Sequence, residues 1–385
     1  MSGQDLFCQP RRTRHGAALT LVLASVLVTG AATGSFDAPG RKNPSAKSAA
    51  PADHDVIDAA TRAMDDGMSP MEAAERAVSR SGDRWGAVYS QGEYREFEEA
   101  LDGEYTGVGL SARRERDGRI EVTEVQSGSP ASAAGIRKGD RLRSVDGESV
   151  DGRPVPEVVS LLRGDAADAT AGTPVRVGLQ RGPRLWSEVL RRARLSTDPV
   201  TAHRRSDDVT VIRVAAFTKG SGDRVRAAVA TVPRRAGIVL DLRGNSGGLV
   251  TEAVTAASAF LDGGLVATYD VDGRQRALHA APGGDTGRPL VVLVDGGTMS
   301  AAELLTGALQ DRGRAVVLGT RTFGKGSVQM PSRLPDGSVA ELTVGHYRTP
   351  SGRGVDGHGI TPDLQVDHDV LERAGTVLSG LGDAR

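Results

Sequence analysis

The chain runs to 385 residues with a formal charge of −1, so it is long enough for two or three domains and has no one-signed field to recruit nucleic acid. Its single cysteine, Cys8, excludes an intrachain disulfide and a cysteine-built zinc site, and the seven histidines lack metal-ligand spacing. Fifty glycines with only 3% aromatics suit a turn-rich α/β protein more than an aromatic-lined sugar or base binder.

Arg11, Arg12 and Arg14 precede an apolar run over residues 16–32. A basic flank, a short apolar core and the small residues Gly30, Ala31 and Ala32 predict a signal peptide or a signal anchor over 1–32. Both options stay open, and under either Cys8 is cytoplasmic or discarded. A linker rich in Ser, Pro, Ala and Lys follows over 33–52. Residues 53–104 alternate helical patterns with polar breaks. Val56, Ile57, Ala60, Ala63 and Met64 share one helical face, and Ser69-Pro70 with Glu72 marks another helix start. No chemistry is visible there, which leaves a helical cap or a dimerisation element.

The pattern changes over 105–190. Thr106-Gly107-Val108-Gly109-Leu110 leads into alternating Ile120, Val122 and Val125, then a helix over 155–162 and a strand over 175–179. Gly135-Ile136-Arg137-Lys138-Gly139-Asp140-Arg141-Leu142-Arg143-Ser144-Val145-Asp146-Gly147 resembles a PDZ domain. The resemblance implies that the N–H groups around Gly107, Val108, Gly109 and Leu110 capture a terminal carboxylate while the neighbouring strand accepts the peptide as an added strand. Arg163 reads as a solvated arginine at a helix end, with a sensor role the alternative.

Over 195–385 the order becomes strand, helix, strand. Runs at Val209–Val214 and 238–242 are β-rich, whereas 223–232 and 250–261 have helical spacing. Such short units predict an α/β core with its active loops at strand ends. Asp241-Leu242-Arg243-Gly244-Asn245-Ser246-Gly247-Gly248 turns sharply ahead of a helix and leaves N–H groups free to stabilise an oxyanion. It lacks the Gly-Lys-Ser/Thr ending of a nucleotide loop.

The stretch 291–329 carries the chemistry. An apolar strand over 291–294 ends in Gly296-Gly297, and Ser300 stands at the mouth of a helix. With Glu303 three residues later, Ser300 also fits a capping box. Lys325 follows a strand over 315–318, on a loop of small and apolar residues. Desolvation there would draw its amine down from about 10.4 toward neutrality, making it a base for the serine, although a surface lysine fits the sequence too. Gln329 lies four residues on and shares a face with Lys325 if the strand already runs through Lys325.

Together these parts resemble the C-terminal processing peptidases, also called tail-specific proteases, over residues 53–363. The matching motifs are Gly103-Glu104-Tyr105-x-Gly-Val-Gly, Asp241-Leu242-Arg243-x-Asn245-x-Gly247-Gly248, Ser300-Ala301-x-Glu303 and Thr322-Phe323-Gly324-Lys325-Gly326-x-Val328-Gln329. Tyr347-x-Thr349-Pro350-x-Gly352 and Gly359-Ile360-x-Pro362-Asp363 close the set. The resemblance implies Ser300 as nucleophile, Lys325 as general base and Gln329 as its orienting partner. It also implies oxyanion donors at Ala301 and at Gly247 or Gly248. Ser246 stands where the family has proline, and Met299 replaces an alanine beside the nucleophile, which implies either a narrower pocket there or a shifted substrate preference.

The expected protein is therefore a multidomain α/β chain: a helical N-terminal segment, a β-rich PDZ domain with two helices and an α/β peptidase core. It would be an exported, secreted or membrane-anchored serine endopeptidase acting on proteins or peptides with a free C-terminus. No cofactor or metal is called for, no nucleic acid is expected, and a homo-oligomer stays open. Two rivals are a catalytically silent PDZ peptide-binding scaffold and an acyl-CoA enzyme on a similar core.

Overall fold

The apolar runs beyond residue 195 build a six-stranded sheet, ordered Val200–Ser206, Val209–Val214, Gly237–Asp241, Leu290–Val294, Val316–Gly319, Leu364–Gln365. Only the first pair is antiparallel. The computed structural model describes residues 58, 61–115, 117–164, 170–206, 208–271 and 274–383. The run at 16–32, the linker, Val56, Ile57 and Ala60 lie outside them. No helix among the described residues is long and apolar enough to cross a membrane.

Both faces of the parallel strands are covered, which is why their sequences read as unbroken apolar runs. Ile212, Ile238, Leu240, Val292 and Val294 pack under the crossover helices Ser221–Thr231, Val250–Ala257 and Ala301–Asp311. Val211, Val239, Val291 and Leu293 alternate to the other face and meet Ala374 and Leu378 of helix Val370–Asp383. Helix Val250–Ala257 stops short of the predicted 250–261, because its last turn tightens into three-residue bonds, with Ala259 N–H 3.0 Å from Ala256 O. The loops after Asp241, Val294 and Gly319 all leave the carboxyl ends of parallel strands, where open α/β sheets bind ligands.

A second sheet pairs Val339–Arg348 with Ala87–Tyr89, Leu265–Val271 and Ser327–Arg333. The N-terminal helices pack on it. Pro70–Ser81, capped by Ser69 as expected, buries Ala73, Ala74 and Ala77 beside Ala340 and Leu342. Gln91–Leu101 sets Tyr94, Phe97 and Leu101 against Val339. These helices thus belong to the compact unit that holds the core, whereas Thr106–Leu195 form a unit of their own.

That inserted unit is a sheet ordered Leu110–Arg114, Ile120–Val125, Arg141–Val145, Pro174–Arg181, Arg184–Arg191, with helices Pro130–Ala133 and Val155–Arg163. Its core gathers Ile120, Val122, Leu142, Val145, Val158, Leu162, Val175 and Val177. Strand Leu110–Arg114 pairs on one side only and so presents an open edge within this sheet.

Candidate active site

Three loops from adjacent strand ends converge, and hydrogen bonds fix each to the next. Asn245 is fully buried and acts as the staple: its Nδ2 donates to Val214 O at 2.9 Å, and its backbone carbonyl accepts Met299 N–H at 2.9 Å. Asp295 Oδ1 accepts the N–H groups of Gly244 and Gly297, each at 2.9 Å. Phe323 N–H donates to Thr298 O at 3.0 Å, tying in the lysine loop.

Ser300 precedes helix Ala301–Asp311, but it does not cap that helix in the usual way. Its backbone sits at φ 51°, ψ −119°, a region costly for any residue with a Cβ and one that persists only where surrounding structure enforces it. Only the Glu303 side of the capping box bonds, as Glu303 Oε2 accepts Ser300 N–H at 2.9 Å. The buried Ser300 hydroxyl has no hydrogen-bond partner. Such a strained strand-to-helix turn projects a serine oxygen from the scaffold rather than spending it on the helix end.

Glu303 is the hub beneath the site. Besides Ser300 N–H, its carboxylate accepts Lys325 N–H at 2.9 Å, Gly324 N–H at 2.7 Å and the Thr322 hydroxyl at 2.5 Å. Burial raises its carboxyl above the ordinary value, while the four donors pull the other way. Oε2 serves both Ser300 and Lys325, so their backbone nitrogens lie within twice a hydrogen-bond length of each other. The Tyr347 hydroxyl adds a second bridge, 3.0 Å from Ser300 O and 3.2 Å from Lys325 O, one hydrogen shared between them. Burial holds that phenol well above its usual range, so it remains a donor.

Lys325 is not a surface lysine: only 1% of it is exposed. Burial draws its amine from 10.5 down to about 8, against the opposing pull of the Glu341, Asp83 and Asp356 carboxylates. Lys325 and Gln329 do not share a strand face. The strand starts at Ser327, beyond Lys325, and its register shifts between Val328 and Gln329. Gln329 is nonetheless buried, and its Nε2 donates to Trp85 O at 2.9 Å while Oε1 has no partner. The Trp85 ring in turn lies 5.2 Å from Lys325 Nζ. Sequence reading found no chemistry in the segment that carries Trp85; the one available signal was a tryptophan in a chain with two.

Of the glycine pair, Gly247 (φ 104°) lies so close to the serine that a Cβ there would be 2.9 Å from Ser300 Cβ and 3.2 Å from Ala301 N. Its N–H, however, donates to Asn245 Oδ1 at 2.8 Å. Gly247 O accepts Phe217 N–H at 2.8 Å, so across the planar trans peptide Gly248 N–H points away from Phe217. Ala301 opens the helix, where N–H groups have no intrahelical acceptor. Met299 is buried beside these loops.

In the inserted unit, Val108 O accepts Ala131 N–H and Gly109 O accepts Gln126 N–H, both at 2.9 Å. The same peptide geometry turns Gly109 N–H and Leu110 N–H the opposite way. Gly109 has φ 79°, and a Cβ there would stand 2.2 Å from Ser129 Cβ, so no other residue fits. Gly107 ends the strand Glu104–Gly107, and Val108 is buried in the unit's core.

The whole is an α/β scaffold with a strained serine and a buried, desolvated lysine on neighbouring loops, interrupted by a PDZ-like module. The chain belongs to peptidase family S41. The sequence model of that family matches residues 208–366, and a PDZ domain model matches 121–171. The chain is 30% identical over 300 residues to the carboxy-terminal processing protease CtpA of Bacillus subtilis, covering 77% of this chain and 63% of that protein. It is 32% identical over 291 residues to a carboxy-terminal-processing protease of Bartonella bacilliformis, covering 72% and 65%. It thus spans a little under two thirds of these curated relatives. A solved photosystem II D1 C-terminal processing protease matches with a TM-score of 0.52 at 30% identity, over 81% of this chain and 86% of that one.

Proposed function

We propose that this protein is an exported serine endopeptidase that recognises the free C-terminal tail of protein substrates and cuts them with Ser300 and Lys325. One observation carries most of this: a serine in strained geometry with an unspent, buried hydroxyl shares a carboxylate anchor with a lysine whose amine titrates at about 8. At neutral pH a useful fraction of such an amine is unprotonated, as a general base requires. A silent scaffold has no need of that strain or of a desolvated amine.

In the reaction, Lys325 Nζ takes the hydroxyl proton as Ser300 Oγ attacks the peptide carbonyl carbon. Charge gathers on the carbonyl oxygen, where Ala301 N–H and Gly248 N–H are the donors we assign; Gly247 N–H is spent on Asn245. The C–N bond breaks, and the lysine ammonium returns its proton to the leaving amine. Water, deprotonated by the same lysine, then cleaves the acyl ester and frees Ser300. Ser300 Oγ has no partner in the resting geometry, so the serine–lysine hydrogen bond closes when substrate binds.

Gly109 N–H and Leu110 N–H suit capture of the tail carboxylate, and the open edge of Leu110–Arg114 suits strand addition beside helix Val155–Arg163. The basic flank and apolar run at 16–32 support export. The test compares wild type, Ser300→Ala and Lys325→Ala on an unfolded protein with an apolar C-terminus. Both variants should lose activity by about a thousandfold or more. Cleavage by either variant at the wild-type rate would overturn the assignment.

A further inference from the structure

Burial strips Lys325 of water, yet the amine must still be aimed at Ser300. The groups around it come from several elements. Glu341 lies on strand Val339–Arg348, Asp356 on the loop after that strand, and Asp83 on the segment joining helix Pro70–Ser81 to strand Ala87–Tyr89. All three are carboxylates and favour the charged amine.

Trp85, on the same joining segment as Asp83, makes two independent contacts with the site. Its ring faces Lys325 Nζ at 5.2 Å, and its main-chain carbonyl accepts Gln329 Nε2 at 2.9 Å. The second contact has a chemical consequence. A carbonyl can only accept, so it engages the NH₂ end of the Gln329 amide and leaves Oε1 as the unspent end. That oxygen is buried and has no partner. A lysine amine needs an acceptor, and the opposite amide orientation would present N–H to N–H.

The segment is also fixed in place. Trp85 N–H donates to Asp83 Oδ1 at 3.0 Å, and Asp83 accepts both the N–H and the hydroxyl of Thr343 at 2.8 Å. The indole also packs against Phe323 with ring centroids 5.7 Å apart, and the Arg84 guanidinium lies 5.3 Å from its centre.

We propose that Trp85 is a positioning residue for the Ser300/Lys325 chemistry: its ring shields and orients the amine, and its carbonyl keeps the acceptor end of Gln329 unspent. The N-terminal helical segment therefore completes the site rather than merely covering it. This rests on the Ser/Lys mechanism proposed above.

Two measurements test it. The first is the pH profile of kcat/KM on the unfolded substrate. Removing the ring in Trp85→Ala admits water, so the amine returns toward its ordinary value and the acidic limb moves up. A rise of about one unit lowers kcat/KM about tenfold at pH 7. Trp85→Phe keeps a ring face and should hold the limb within about half a unit of wild type. An unshifted limb in an active, folded Trp85→Ala would overturn the role. If Ser300→Ala and Lys325→Ala also cleave normally, the fault lies in the Ser/Lys mechanism itself; if they are dead, it lies in Trp85 alone.

The second measurement needs no activity and survives a poorly folding alanine variant. The chain has two tryptophans, so Trp186→Phe leaves Trp85 as the only indole reporter. Its fluorescence should titrate with a midpoint at about 8, the value of the amine it faces, and the transition should vanish when Lys325→Met is added. A flat titration of folded Trp186→Phe, or a transition unchanged by Lys325→Met, would refute the contact.

Discussion

Replacing Lys325 by methionine should stabilise the protein, and by an amount that depends on pH in a defined direction. The folded amine titrates at about 8 against 10.5 for the unfolded chain. At about 1.4 kcal/mol per pKa unit, holding this lysine buried costs about 3 kcal/mol at pH 7 and below, where the unfolded state keeps a proton that the folded state holds poorly. The sign follows from linkage. Between pH 8 and 10.5 the unfolded chain binds more protons than the folded one, so wild-type stability rises with pH and the penalty falls to about 1 kcal/mol by pH 10. Methionine fills similar space with no charge to desolvate. Urea unfolding of wild type and Lys325→Met at pH 7, 8.5 and 10 therefore should show a gap favouring the variant that closes steadily as pH rises. A gap that is constant with pH, or one that widens, would refute the claim that burial holds this amine low. On the Ser/Lys mechanism proposed above, the variant should also be inactive.

Glu303→Ala strands four donors, Ser300 N–H, Gly324 N–H, Lys325 N–H and the Thr322 hydroxyl, and should cost about 3–5 kcal/mol in urea unfolding together with most of the activity. A loss below about 1 kcal/mol would show that the hub is dispensable. Gly248→Ala puts a Cβ 2.3 Å from Phe217 O at φ 125°, so it should destabilise by about 2–4 kcal/mol and cut kcat more than tenfold; an unaffected kcat would remove Gly248 from the oxyanion assignment. Amidating the substrate's C-terminus should lower kcat/KM by about tenfold or more, read in a side-by-side cleavage assay. Equal rates for acid and amide would end the case for carboxylate capture at Gly109 and Leu110.

Much of the fold was legible because its signals are local. Strand Val209–Val214 and the start of helix Pro70–Ser81 fall where a β-rich run and the Ser-Pro helix start place them. The strand-to-helix turns at Gly247-Gly248 and at Ser300 are marked by residues that permit sharp turns. The serine itself shows where locality fails. Ser300 with Glu303 matches a capping box, yet only the carboxylate bonds, because neighbouring loops force the serine backbone to φ 51° and leave its hydroxyl unspent.

What the chain determines by itself is therefore periodicity, turn chemistry and the supply of a hydroxyl, an amine and an amide within one stretch. Tertiary structure decides their condition. Lys325 is a low-titrating amine only because strands and loops distant in sequence exclude water from it. Gln329 reaches the site through Trp85, 244 residues away, and not by strand parity, since the strand begins too late and shifts register before it. Gly247, equal to Gly248 on paper, spends its N–H on Asn245. Burial, strain and the choice of hydrogen-bond partner depend on which distant residues arrive, and no local pattern encodes that.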